Sequence, residues 1–122
     1  MKILCVCEGG YIRSVAMKHY FEHVEGVEAL SVGIQASTRG TLQMLADWAD
    51  QIAVAEEWVV DYLPADCREK VWSVGIGPDR WGVDDMGAAI VEIAEFMAAW
   101  EHPKPAPPVH PDRETPEVYK GL

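Results

Sequence analysis

The sequence predicts an α/β domain, a doubly wound four-stranded parallel sheet in the order 2-1-3-4 with flanking helices. Three observations predict it. Short apolar runs alternate with amphipathic stretches, which implies parallel strands whose crossovers cover both faces of a sheet. The first apolar run passes straight into a glycine-containing loop and then a helical pattern, so that loop lies at the carboxyl end of a strand, where open α/β sheets bind ligands. The length, 122 residues of which 49% are hydrophobic and 25% charged, suits one domain with one core.

The elements follow in order. Residues 2–6 form the short apolar run that enters the loop, and Met17, Tyr20, Phe21 and Val24 then recur at helical spacing until Gly26 ends the helix. Residues 27–34 read as the second strand. After the Ser37-Thr38-Arg39-Gly40 turn, Leu42, Leu45, Ala46 and Ala49 make the apolar stripe of a second helix. Residues 51–55 are a short buried strand, and Trp58, Val59, Tyr62 and Leu63 suit a brief third helix stopped by Pro64. The fourth strand covers 71–76. Asp84 or Asp85 caps a last helix, whose Met86, Ile90, Ile93, Met97 and Trp100 form one seam.

From Glu101 onward the character changes, with six of the eight prolines at 103, 105, 107, 108, 111 and 116. Residues 1–101 are therefore read as the folded domain and 102–122 as an extended, disordered proline-rich tail. Val109, Val118, Tyr119 and Leu122 are the tail side chains able to contact a partner. A formal net charge of -10 argues against a nucleic-acid partner, since phosphate backbones demand surplus Lys and Arg. The first apolar run is too short for a signal peptide or a membrane span, so no membrane association is expected. The three cysteines, 5, 7 and 67, lack framework or metal spacing, which fits a reducing cytoplasm. The four histidines (19, 23, 102 and 110) show no ligand spacing with them, so neither a metal nor another cofactor is expected.

The chemistry concentrates in Cys7-Glu8-Gly9-Gly10-Tyr11-Ile12-Arg13-Ser14. A loop this short between strand and helix can turn its amides inward around a tetrahedral anion, with the helix dipole adding positive potential. Cys7 stands at the floor of that cradle and Arg13 at its far end. The first is a nucleophile favoured as thiolate by its surroundings, and the second a planar, permanently charged clamp for two oxygens of a phosphoryl group. Ser14 brings a hydroxyl to the sulfur at the first helical turn. Gly9 and Gly10 allow close backbone approach to the anion.

These residues, within Ile3-Leu4-Cys5-Val6-Cys7-Glu8-Gly9-Gly10-Tyr11-Ile12-Arg13-Ser14-Val15-Ala16-Met17, resemble the N-terminus of the low-molecular-weight protein tyrosine phosphatases, closest to a short branch of predicted members. Ser31-Val32-Gly33 and Ala49-Asp50-Gln51-Ile52-Ala53-Val54-Ala55 are similar to two strand ends of that family. Ile76-Gly77-Pro78-Asp79-Arg80-Trp81 resembles its acid loop, and the likeness runs over about residues 2–100. The resemblance implies a cytoplasmic, cysteine-dependent hydrolase acting on phosphotyrosine proteins or small aryl phosphates through a phosphocysteine. Cys7, Arg13, Asp79 and Ser14 would be catalytic, with Asp79 as general acid; Glu8, Gly9, Gly10, Tyr11, Ile12 and Trp81 would line the substrate site, the two aromatics as walls for a phenyl ring.

Two departures from the family stand out. Gly10 replaces a common Asn, removing a side-chain brace and with it the expected rigidity of the loop. Ile12 replaces a second loop cysteine, removing a protective disulfide; Cys5 is poorly placed to substitute, since an i, i+2 bridge on one strand has unfavourable geometry. A thiol-coupled arsenate reductase shares the cradle but in its thioredoxin-coupled form needs two relay cysteines, and only Cys67 is available. A phosphotransferase-system phosphocysteine carrier normally lacks Arg13 and an acid loop. A catalytically weak phosphotyrosine-binding module is the alternative outside enzymes.

Overall fold

The computed structural model describes residues 1–100; the expected tail at 102–122 lies outside the described residues. Its elements are β1 (Lys2–Cys7), α1 (Arg13–His23), β2 (Glu28–Gly33), α2 (Arg39–Trp48), β3 (Gln51–Val54), β4 (Val71–Ser73) and α3 (Met86–Ala99). Two 3-10 segments, Glu57–Tyr62 and Ala65–Lys70, join β3 to β4, and a 3-10 turn, Val83–Asp85, precedes α3. The sheet is wholly parallel with the order β2-β1-β3-β4, as the sequence predicts.

Strand periodicity divides the core into two layers. On one face Ile3, Cys5 and Cys7 of β1 meet Ala16, Met17, Tyr20 and Phe21 of α1 and Ala89, Ile93 and Met97 of α3. On the other, Leu4 and Val6 meet Leu42 and Ala46 of α2 with Val59 and Cys67 of the 3-10 segments and Leu63 between them. β1 lies inside the sheet between β2 and β3, buried on both faces, and its last residue therefore points towards the α1 side. That alternation alone puts the Cys7 thiol beneath the start of the first helix.

Several boundaries differ from expectation for local reasons. β2 starts at Glu28 because the Val27 amide turns back to Phe21 O (3.1 Å), closing the end of α1. Val24, expected in the α1 stripe, is 63% exposed, beyond the reach of the core. β4 is shorter than 71–76 because Gly75 takes a φ of +76°, although the Val74 and Ile76 amides still bond to Val54 O and Ala55 O at 3.0 and 2.8 Å. The segment with Trp58 and Tyr62 winds as a 3-10 helix, and a second 3-10 helix, Ala65–Lys70, follows it. Thr38 caps α2 by accepting the Thr41 amide at 3.1 Å. Asp85 holds the cap position of α3, but its carboxylate accepts from the Gly82 amide (3.3 Å) upstream and bonds no helix N–H.

No helix among the described residues is long and apolar enough to cross a membrane. Phe21 is fully buried between α1 and the sheet. Phe21→Ala should lower stability by about 3–5 kcal/mol, the usual cost of an aromatic core truncation, read as the midpoint shift in urea unfolding.

Candidate active site

The loop after β1 is fastened to β2 by backbone. Ile34 N donates to Cys7 O at 3.0 Å and Gln35 N to Glu8 O at 2.9 Å, while Gln35 Nε2 reaches Glu8 Oε1 at 2.7 Å. Gly10 has a φ of +78°, and a Cβ there would stand 2.5 Å from Gly33 N. A Cβ on Gly33 would in turn lie 2.3 Å from Gly9 C and 2.4 Å from Gly10 N. Gly33 and the Gly9-Gly10 pair thus pack main chain against main chain. This corrects the expectation that Gly10 leaves the loop unbraced: the space a side chain would need is filled by β2, which holds the loop directly.

Inside the loop the Cys7 thiol is 2% exposed. The Gly10 amide donates to Cys7 Sγ at 3.1 Å, and the sulfur lies 3.3 Å from Ser14 Oγ, to which the thiol donates. On ionisation the Ser14 hydroxyl can turn and donate to the sulfur instead, because a hydroxyl proton rotates freely. Ser14 is itself fully buried at the first turn of α1. Ile12 sends its side chain into the α1/α3 layer, leaving only its main chain for a ligand. Tyr11 is 70% exposed, with Cδ2 3.6 Å from where a Gly9 Cβ would be, so its ring leans over the loop.

Arg13 is buried, and its Nη1 donates to Glu56 Oε1 and to Gly77 O, the latter at 2.8 Å. Its Nε is buried with no hydrogen-bond partner among the described residues. Glu56 follows β3 and Gly77 follows β4, so one guanidinium joins the carboxyl ends of three strands. Neither partner is singled out by the sequence. The available signal was a carboxylate directly after a buried strand, repeated in Glu57 and therefore easily read as surface charge.

Asp79 is exposed and its Oδ1 accepts the Trp81 amide at 3.1 Å. Two peptide units separate it from Gly77, so its Cα lies within about 7.6 Å of the residue that touches Arg13. Trp81 does not stand as a free pocket wall. It is 8% exposed, its Nε1 donates to Glu92 Oε2 at 2.7 Å, and Arg80 stacks 4.4 Å over its ring. The indole is thus part of the core that anchors the loop to α3, and Tyr11 is the expected wall residue that remains open.

The other thiols are buried elsewhere. Burial pushes the Cys5 thiol far up, and Cys67, donating to Pro64 O at 2.9 Å, is raised to about 11, chiefly by desolvation. Among the described residues no group of His, Cys, Asp and Glu is arranged to hold a metal ion.

No family model matches the chain, and no curated protein matches it. Among solved structures, the fold matches YwlE arginine phosphatase from Geobacillus stearothermophilus, with a TM-score of 0.59 over 80% of this chain and 88% of that one at 18% sequence identity. The likeness agrees with the sheet order and helix placement described above.

Two outcomes follow from the packing. Gly33→Ala should cost about 1–3 kcal/mol through backbone overpacking, and thermal unfolding should show it. Glu56→Ala removes the counter-charge of a buried guanidinium and should cost about 3–5 kcal/mol by urea titration, while Glu57→Ala, one residue on and exposed, should cost less than about 0.5.

Proposed function

We propose that the chain is a cysteine-dependent phosphatase that hydrolyses phosphotyrosine or a related aryl phosphomonoester through a phosphocysteine. The observation that carries the reading is the convergence of the Gly10 amide and Ser14 Oγ on Cys7 Sγ, at 3.1 and 3.3 Å, inside a strand-loop-helix turn. A backbone N–H and a rotatable hydroxyl set against one sulfur are the groups that a cysteine nucleophile needs around it. The likeness in fold to an arginine phosphatase supports the same class of chemistry.

In this mechanism Cys7 Sγ attacks phosphorus in line, forming the S–P bond as the bond to the aryl oxygen breaks. Arg13 Nε, which has no hydrogen-bond partner among the described residues, and the amides of residues 8–13 hold the equatorial oxygens. Asp79 gives its proton to the departing oxygen. It then takes one from a water that attacks the phosphocysteine, releasing phosphate and returning Cys7 as a thiolate steadied by Ser14. Tyr11, leaning over the loop, offers its ring to the substrate's aromatic face.

Burial of Cys5 and Cys67 weighs against the arsenate reductase, which would need relay thiols able to reach Cys7. Phosphoarginine is the alternative substrate raised by the fold likeness, and the exposed Glu57, next in sequence to the Glu56 that pairs with Arg13, is the carboxylate that could receive its guanidinium.

A panel of phosphotyrosine, phosphoserine and phosphoarginine peptides, with arsenate plus thiol, separates these readings. Phosphotyrosine should be hydrolysed fastest, and Cys7→Ser should lower turnover at least about a thousandfold while oxyanion binding persists. Residual activity in Cys7→Ser would reassign the nucleophile. Asp79→Ala should lose about 10²–10⁴-fold with phosphotyrosine and less with a nitrophenyl ester, whose leaving group needs little protonation. Equal losses would remove Asp79 as the acid.

A further inference from the structure

The two residues that receive Arg13 Nη1, Glu56 and Gly77, also line a cleft of about 470 Å³ together with Glu57, Trp58 and Gly75. It lies at the carboxyl edge of the sheet, between the segments that leave β3 and β4. Its walls carry two neighbouring carboxylates and an indole, and no cation among the described residues. Glu56 is matched by Arg13, whereas Glu57 is exposed and its carboxylate has no ion pair or side-chain hydrogen bond among the described residues. Trp58 is held edge-to-face against Tyr62, with ring centres 5.6 Å apart, and keeps 38% of its surface open.

A carboxylate beside a partly open indole suits the head of a Lys or Arg side chain, through Coulomb attraction and a cation-π contact. A second observation fixes what lies next to it. Arg13 is 2% exposed and its Nη1 donates to two of the lining residues, Glu56 and Gly77, so the clamp of the proposed phosphate site adjoins this cleft through their shared walls. An unmatched carboxylate next to a phosphate site repels the phosphate, and the net charge of -10 adds to that repulsion. A positive group on the same ligand reverses the sign.

We propose that the cleft binds a Lys or Arg side chain flanking the phosphorylated residue, so that the substrates are phosphoproteins with basic flanks. This rests on the phosphatase reading above and adds the substrate class to it.

The test uses the full chain and two phosphotyrosine peptides that differ only in carrying Lys or Glu beside the phosphotyrosine. Relative kcat/KM is measured on the native sequence, and relative Kd by fluorescence anisotropy on the Cys7→Ser protein, both at near-physiological salt. The Lys peptide should be favoured about tenfold, and Glu57→Gln or Trp58→Ala should each cut that preference about three- to fivefold. Glu28→Gln removes the same charge at the opposite edge of the sheet, where Glu28 pairs with Lys2, and should leave the preference as it was. Equal preference for the two peptides overturns the proposal, as does a preference that survives both cleft substitutions or falls equally with Glu28→Gln, since the overall charge would then be its source. Binding preference without turnover by the native sequence would sink the phosphatase reading and keep the cleft. Turnover without preference would do the reverse.

Discussion

One buried positive charge organises the carboxyl edge of this sheet. Arg13 opens α1, is 2% exposed, and reaches Glu56 after β3 and Gly77 after β4. A guanidinium removed from water must be paired, and the partners it finds here come from two different strand ends. The loop after β1, the turn after β3 and the bend after β4 are therefore set relative to one another by a single side chain. The unpartnered Nε is the remainder of that arrangement, a donor held in place with nothing among the described residues to accept from it.

Around that charge, main-chain packing does what side chains do not. Gly33 ends β2 against Gly9 and Gly10, and the amides of Ile34 and Gln35 extend the ladder past the last strand residue onto Cys7 and Glu8. The thiol, the serine and the loop amide then meet within hydrogen-bonding distance, because strand alternation has already turned Cys7 towards α1. Trp81, bonded to Glu92 and covered by Arg80, fixes the segment that carries Asp79 on the side of α3.

The sheet order and the first loop were legible from residue order alone. A strand, a glycine loop and a helix with Cys and Arg-Ser at its ends leave few physical alternatives, and alternating apolar runs leave few topologies. What stayed hidden depended on contacts far apart in sequence. Nothing around Glu56 distinguishes it from Glu57, yet one is tied to Arg13, 43 positions away, and the other faces solvent. Gly10 looked like a lost brace because its neighbour Gly33 lies on another strand. Trp81 looked like a wall because an indole beside a proline turn gives no sign of which way it faces; the answer came from Glu92 and Arg80. The second 3-10 helix shows no apolar stripe in its sequence, because Cys67 and Arg68 sit among charged residues although both are buried.

The glycine contact between the loop and β2 also limits how the molecule can vary. Neither Gly10 nor Gly33 can take on a methyl group unless the opposing backbone gives way, so the two positions are closed to stepwise change and must move together. Ile12, Arg13 and Ser14 are committed to the interior. Room for change at the loop surface is left to Tyr11, whose side chain stands in solvent, and to the residues that follow β3 and β4. A lineage or a designer wishing to retarget this scaffold would keep the cradle intact and rewrite its rim.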